Sequence, residues 1–144
     1  MTPLTPDLET FVRDARVARL ATVDERGRPH VVPVCFVYQD GAVYSVLDAK
    51  PKRVAVTHLR RVRNLLANPN VQLLVDRYDE DWTRLAYVQL RGRAEILQPG
   101  PEHAQALATL RAKYRQYAAM ALADAPLIKV TVEDHVAWQA TPSN

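Results

Sequence analysis

Cysteine is nearly absent from this chain, because Cys35 is the only one among 144 residues. A single thiol excludes a disulfide within the chain and is compatible with a reducing cytoplasm. Long apolar runs are missing too, and no segment approaches the roughly 18 residues that a membrane-spanning helix needs. The opening residues have neither a basic cluster nor an apolar core, unlike a secretory signal. We therefore expect a cytoplasmic protein without a membrane partner.

The sequence also lacks the patterns that place catalysis on side chains or on a bound metal. The histidines, His30, His58, His103 and His135, show no zinc-ligand spacing. The acidic stretch 76–81 lacks the regular oxygen spacing and the central glycine of a calcium loop. No Ser-His-Asp set or carboxylate pair stands out, so we assign no catalytic residue and no metal site. This absence fits a redox enzyme in which a cofactor supplies the chemistry.

Positive charge is concentrated in one segment. The chain carries 19 Lys and Arg against 16 Asp and Glu. Six of the basic residues lie between Lys50 and Arg63, a window with no acidic residue. Without these six, 13 basic residues remain against 16 acidic ones, a balance of −3. A nucleic-acid surface is expected to be a broad basic stripe, so this distribution argues against a nucleic-acid partner.

The residue patterns predict a β-rich α+β domain that spans residues 1–144. The first helix follows the N-cap Thr5, with Pro6 at its first position. Strands are predicted over 17–23, 29–38, 42–47, 71–77, 85–97, and 127–134 together with 135–140. Helices are predicted over 53–68 and 102–122, a hairpin turn at 39–41, and a bulge or bend at Gly92. Six strands joined mostly by hairpins indicate an antiparallel, closed or partly closed small barrel.

The helix predicted over 53–68 carries much of the basic segment. Its apolar face is formed by Ala55, Leu59, Val62, Leu65 and Leu66. The opposite face is assigned to Arg53, Thr57, Arg60 and Asn64, with Arg61 and Arg63 flanking it. Lys50 and Lys52 lie just ahead of the helix, beside N–H groups that favour an anion. The residues alone leave two interpretations open, a phosphate cradle and a solvated amphipathic helix.

Several stretches resemble a known superfamily. RLATVDERGRPHVVPV, DGAVYSVLDAKPKR, NLLANPNVQLLVD and VQLRGRAEIL are similar to the split-barrel flavin-binding superfamily of pyridoxamine 5′-phosphate oxidase. LRRVRNL and DRYDEDWTRLAYVQLRG resemble more closely the branch whose members use coenzyme F420, a deazaflavin. The resemblance implies a six-stranded antiparallel split β-barrel with flanking helices. It also implies a homodimer that holds the cofactor at the subunit interface.

The resemblance further implies which residues contact the cofactor. The backbone of Val32, Pro33 and Val34 matches the stretch along the tricyclic ring, and Ser45 and Val46 match the strand end that leads to the phosphate. By itself, a proline at position 33 indicates an edge strand or a bulge, because proline donates no ladder hydrogen bond.

The implied phosphate contacts are all basic. Lys50 and Lys52 align with the Ser-Arg-Lys motif of the oxidases, although AKPKR departs from GSRK and disfavours oxidase-type FMN chemistry. Arg60 and Arg61 correspond to basic residues of the deazaflavin-binding relatives.

Two aromatic residues, Trp82 and Tyr87, are expected to shape the pocket. Trp82 lies in the acidic stretch, which is either a solvated turn or a loop that closes over the cofactor. Trp138 and Cys35 are assigned to packing.

The expected activity is that of an oxidoreductase. Hydride would pass from reduced F420 to a small organic acceptor that the sequence does not identify. Two alternatives remain, an FMN-binding enzyme of the oxidase type and a non-catalytic protein that binds F420 or a flavin.

Overall fold

The computed structural model describes residues 3–47 and 59–141, in which three α-helices and seven strands are present. The helices are α1 (Pro6–Asp14), α2 (Arg60–Ala67) and α3 (Pro101–Lys113). The strands are β1 (Ala18–Val23), β2 (Pro29–Val34), β3 (Val37–Gln39), β4 (Ala42–Val46), β5 (Asn70–Arg77), β6 (Ala86–Leu97) and β7 (Leu127–Gln139). Short 3₁₀ helices cover Trp82–Arg84 and Arg115–Ala119. None of the described helices is long and apolar enough to cross a membrane.

The seven strands form one antiparallel sheet in the order β2-β1-β5-β6-β7-β4-β3. The predicted β-rich, antiparallel α+β class is therefore confirmed, whereas the predicted number of six strands is wrong. Strands β2 and β3 are adjacent in sequence and yet form opposite edges of the sheet.

The seventh strand exists because the apolar segment 29–38 breaks between β2 and β3. Phe36 is fully buried at the break. Its N–H donates to Tyr114 Oη at 3.0 Å, and its carbonyl accepts from Tyr114 Oη at 3.1 Å and from Lys113 Nζ at 2.9 Å. Side chains at the end of α3 thus satisfy backbone groups that a continuous strand would have paired with a neighbouring strand.

The predicted helix bounds are partly corrected. The predicted helix over 102–122 ends as an α-helix at Lys113, because Tyr114 is extended and directs its side chain to the strand break. The helix predicted over 53–68 is seen from Arg60, and residues 53–58 lie outside the described part of the chain. The predicted segments 127–134 and 135–140 form a single strand, β7.

Two apolar cores result from this arrangement. The first lies on the inner side of the curled sheet and includes Leu20, Phe36, Leu73 and Leu90, with α1 and α2 packed against it. The second lies between α3 and the strands β3, β4 and β7. Burial of these side chains provides the main driving force for the fold.

Gly92 marks the predicted bulge. The register between β6 and β7 shifts between Arg91 and Gly92. A Cβ atom at Gly92 would lie 2.1 Å from the carbonyl oxygen of Thr131. Only glycine allows β7 to approach this closely, so the curl of the longest strand pair depends on the residue.

Replacing Gly92 by alanine should destabilise the protein by about 3 kcal/mol, since a backbone oxygen cannot move aside as a flexible side chain can. Urea unfolding followed by circular dichroism measures this change. Gly100→Ala is the matched control, because the nearest atom to its Cβ is 4.0 Å away. Its expected cost is at most about 1 kcal/mol, from the N-cap position. Equal losses in the two variants would contradict the close approach.

Candidate functional site

The outer face of the sheet includes exposed apolar side chains, Val31 and Val136. Strand register places Pro33, Arg19, Leu74, Gln89 and Val136 in one row across β2, β1, β5, β6 and β7. Val31, on the same face two residues before Pro33, is 58% exposed. Exposed apolar side chains grouped on one sheet face are typical of an interaction surface.

The predicted ring-binding strand is the edge strand β2. Val32 packs against the first core, Val34 is buried, and Pro33 is exposed. The edge-strand interpretation of Pro33 is confirmed, since among the described strands β2 pairs with β1 alone.

The predicted phosphate end of the site lies at the end of β4. Ser45 and Val46 are both buried there, and Val46 pairs with Leu127 at the start of β7. Lys50 and Lys52 follow directly in sequence but lie outside the described residues.

Helix α2 distributes its residues differently from the sequence prediction. Asn64 was assigned to the polar face but is 1% exposed, and its Nδ2 donates to Thr22 Oγ1 at 3.0 Å. Leu66, assigned to the apolar face, is 63% exposed. The helix packs against β1 through Val62, Asn64 and Leu65, which rotates the buried arc away from Leu66.

This rotation separates two neighbouring arginines. At 3.6 residues per turn, Arg61 lies on the arc between Asn64 and Leu65, whereas Arg63 lies roughly opposite Leu65. Arg61 is accordingly half-buried, and Arg60 and Arg63 are exposed. The first turn of α2 contains no acidic residue, and the Oδ1 atom of Asn64 has no hydrogen-bond partner within residues 3–47 and 59–141.

Within one protomer, the predicted site residues form two groups that lie far apart. β7 runs from Leu127, beside Val46, to Trp138, beside Tyr87. At about 3.3 Å per residue, Tyr87 lies roughly 36 Å along β7 from the end of β4. Trp82 is 67% exposed and also belongs to the distant group.

Tyr87, from the distant group, borders a groove of about 760 Å³. It lies between α1 and the ends of β5, β6 and β7, and its lining includes Phe11, Tyr87 and Trp138. Tyr87 and Trp138 stack with ring centroids 5.9 Å apart. The sequence predicts that Trp138 is a packing residue. Strand register, which no local sequence pattern reveals, brings it beside Tyr87. Trp82 does not line the groove.

The sequence pattern of the pyridoxamine 5′-phosphate oxidase family matches residues 4–139. The chain belongs to this family. The expected superfamily is thereby confirmed, and the curled sheet is the split-barrel fold of that family. No curated protein sequence matches the chain.

Solved structures similar to this family member have differing descriptions. A protein from Bacteroides thetaiotaomicron, described provisionally as a 5-nitroimidazole antibiotic resistance protein, has a TM-score of 0.74 at 18% identity, covering 94% of this chain and 84% of its own. The heme storage protein HutZ from Vibrio cholerae has a TM-score of 0.69 at 19% identity, with coverages of 96% and 95%. An FAD-binding protein from Mesorhizobium loti has a TM-score of 0.67 at 23% identity, with coverages of 93% and 94%. At these identities the likeness shows the fold alone.

In this family member, a cationic cluster fixes the end of β2. Lys113 Nζ lies 4.1 Å from the ring centroid of Phe36, and Arg16 Nη2 donates to the Lys113 carbonyl at 2.9 Å. Both cations also lie over the ring of Tyr114, at 5.3 Å and 4.8 Å. Burial, followed by the nearby Arg16 guanidinium, lowers the pKa of Lys113 from 10.5 to about 8.

This pKa predicts a pH-dependent contribution to stability. Below about pH 8 the ammonium is charged in both states, and its burial is unfavourable. Between about pH 8 and pH 10.5 the unfolded chain binds more protons than the folded one, so the free energy of unfolding rises with pH. Urea unfolding of the native protein and of Lys113→Met, from about pH 7 to about pH 9.5, should show their difference increasing in favour of the native protein. A flat or falling difference would contradict the prediction.

Proposed function

We propose that the protein binds a flavin-type cofactor, coenzyme F420 in the first place, and transfers hydride between it and a small organic acceptor. The observation that carries this proposal is the position of Arg61. Of the three arginines of α2, Arg61 alone is half-buried, in the arc that packs on the sheet, whereas Arg60 and Arg63 are exposed. A guanidinium at the start of a helix and against the sheet is suited to hold an anion.

The cofactor phosphate is assigned to Lys50, Lys52, Arg60 and Arg61, around the start of α2. The absence of acidic residues from the first turn of this helix supports an anion there.

The remaining contacts follow from the open edge of β2 and the end of β4. The ring is assigned to the backbone of Val32, Pro33 and Val34, and Ser45 and Val46 adjoin the phosphate. When bound, the deazaflavin supplies a hydride, that is one proton and two electrons. The chain's own residues orient the ring, and we assign the second proton needed by the acceptor to solvent.

We further propose that the functional unit is a homodimer. Tyr87 lies roughly 36 Å along β7 from the phosphate end, so we assign these two parts of one cofactor site to different protomers. A two-fold partner that covers the outer face of β2 and β1 brings the aromatic pair of one protomer to the β2 edge of the other. It also covers the exposed apolar side chains, as isologous interfaces do.

Titration calorimetry with F420 and with FMN tests the cofactor assignment. Arg61→Ala and Lys52→Ala should each weaken binding by about 10- to 150-fold, because a charge-assisted hydrogen bond to phosphate contributes roughly 1.5–3 kcal/mol. Arg63→Ala is the control, since Arg63 is exposed on the other side of the helix, and it should leave the affinity unchanged.

Three outcomes discriminate between the alternatives. Tighter binding of FMN than of F420 would favour the oxidase-type alternative. Binding of F420 without oxidation of its reduced form by any of a panel of acceptors would favour a non-catalytic binder. Tighter binding of random duplex DNA at physiological salt, with the steep salt dependence of phosphate neutralisation, would exclude the cofactor proposal altogether.

Sedimentation velocity tests the dimer. The native protein should sediment as a dimer at micromolar concentration, and Val31→Asp should shift it to a monomer by placing a charge in the apolar interface. Leu66→Asp is the control, because Leu66 is 63% exposed on α2, away from the sheet face. A native protein that sediments as a monomer would contradict the shared site.

A further inference from the structure

The first turn of α3 holds a buried histidine that the proposed cofactor contacts do not include. His103 is 2% exposed, and its Nε2 lies 2.6 Å from the carbonyl oxygen of Ala125. A carbonyl oxygen can only accept a hydrogen bond, so Nε2 carries a proton and donates it here. The imidazole therefore ties α3 to the chain that leads into β7.

Ala125 belongs to the turn that fixes the end of β4. Its N–H donates to the Leu122 carbonyl at 3.0 Å. The next residue, Pro126, accepts from the Leu47 N–H at 3.0 Å, directly after the last rung of the ladder between β4 and β7. Lys50, the first residue of the basic segment, follows Leu47 by three positions. Whatever holds Ala125 in place therefore holds the point from which the basic segment starts.

The neighbouring residue of α3 holds the same pair of strands. Glu102 Oε2 accepts from Tyr44 Oη on β4 and from Lys129 Nζ on β7, each at 2.6 Å. Tyr44 and Lys129 are direct partners in the ladder. The hydrogen bond from Lys129, followed by that from Tyr44, lowers the pKa of Glu102, so its carboxylate is charged at neutral pH. Two consecutive residues of α3 thus hold β4, β7 and the turn before β7.

We infer that His103 is a positioning residue for the anion-binding end of the site. Its Nε2–H fixes the Ala125 carbonyl and, through Pro126, the Leu47 N–H from which the chain continues to the basic segment. His103 acts through this turn and not through a ligand contact. The role in binding rests on the proposed function, whereas the link from His103 to Leu47 is measurable without any ligand.

Amide hydrogen exchange tests the link in the free protein. His103→Leu fills the space without supplying a donor, so the turn can shift toward water to satisfy the Ala125 carbonyl. The Leu47 N–H should then exchange about 3- to 10-fold faster than in the native protein. His103→Gln, whose side-chain amide supplies an N–H at a similar reach, should restore the native rate. Leu90, 0% exposed in the central strand β6, is the reference for global unfolding.

Titration calorimetry with F420 and with FMN tests the role in binding, under conditions in which circular dichroism shows each variant to be folded. His103→Leu should weaken binding of the preferred cofactor about 5- to 20-fold, because a binding group is only as well placed as the chain that supports it. His103→Gln should change the affinity by at most about twofold, since the donor is kept.

Thr109→Val is the matched control. It removes a hydrogen bond from the same helix, in which Thr109 Oγ1 donates to Gln39 Oε1 on β3 at 2.9 Å. Gln39 pairs with Ala42 at the start of β4, the end away from Leu47. This variant should leave both the cofactor affinity and the exchange of the Leu47 N–H unchanged.

Two results would overturn the inference. One is Leu47 exchange that His103→Leu leaves unchanged, or that rises only in step with Leu90, since a general loss of stability would then explain it. The other is selective exchange at Leu47 with unchanged affinity for a cofactor that the native protein binds. A native protein that binds neither F420 nor FMN would refute the proposed function instead, and selective exchange at Leu47 would still support the link from His103.

Discussion

The pairing of β6 with β7 is the interaction on which the rest of the structure depends. These are the two longest strands, and Gly92 lets them approach so closely that no side chain fits between them. The bulge at this point changes the register. On one side of it, β7 is covered by β4 and by the second core; on the other side, its outer residues are exposed. The covered half leads to the proposed phosphate end, and the exposed half forms the wall of the aromatic groove. A single backbone feature therefore separates the proposed phosphate end from the aromatic groove.

The packing of α2 gives the arginines of the basic segment different surroundings. Six positive charges in one window are equally compatible with a solvated helix and with an anion site when only the residues are considered. Thr22 on β1 hydrogen-bonds Asn64 and so fixes the rotation of the helix. This rotation turns Arg61 toward the sheet and Arg63 toward solvent. The two arginines are chemically identical and differ only in this orientation, which is why they are suited to comparison.

The exposed outer face and the separation of the two groups of site residues both bear on the proposed homodimer. In that proposal a second copy, related by two-fold symmetry, covers the outer face of β2 and β1, as isologous interfaces do.

The sequence by itself determined the features that depend on neighbouring residues. The N-cap of α1 is one, since Thr5 Oγ1 accepts from the Leu8 N–H at 3.3 Å. The hairpin turn is another, where Asp40 and Gly41 both have positive φ, 52° and 78°. The bulge at Gly92 and the edge position of Pro33 also follow from the sequence. Glycine permits a close backbone approach and proline donates no ladder hydrogen bond, and both properties act locally.

Only the tertiary structure decided the features set by distant partners. The break at Phe36 depends on Tyr114, 78 residues away, the burial of Asn64 depends on Thr22, and the role of Trp138 depends on its pairing with Tyr87. In each case the local pattern was satisfied by more than one arrangement. The choice between them was made by long-range hydrogen bonds and strand register, which leave no trace in the spacing of residues along the chain.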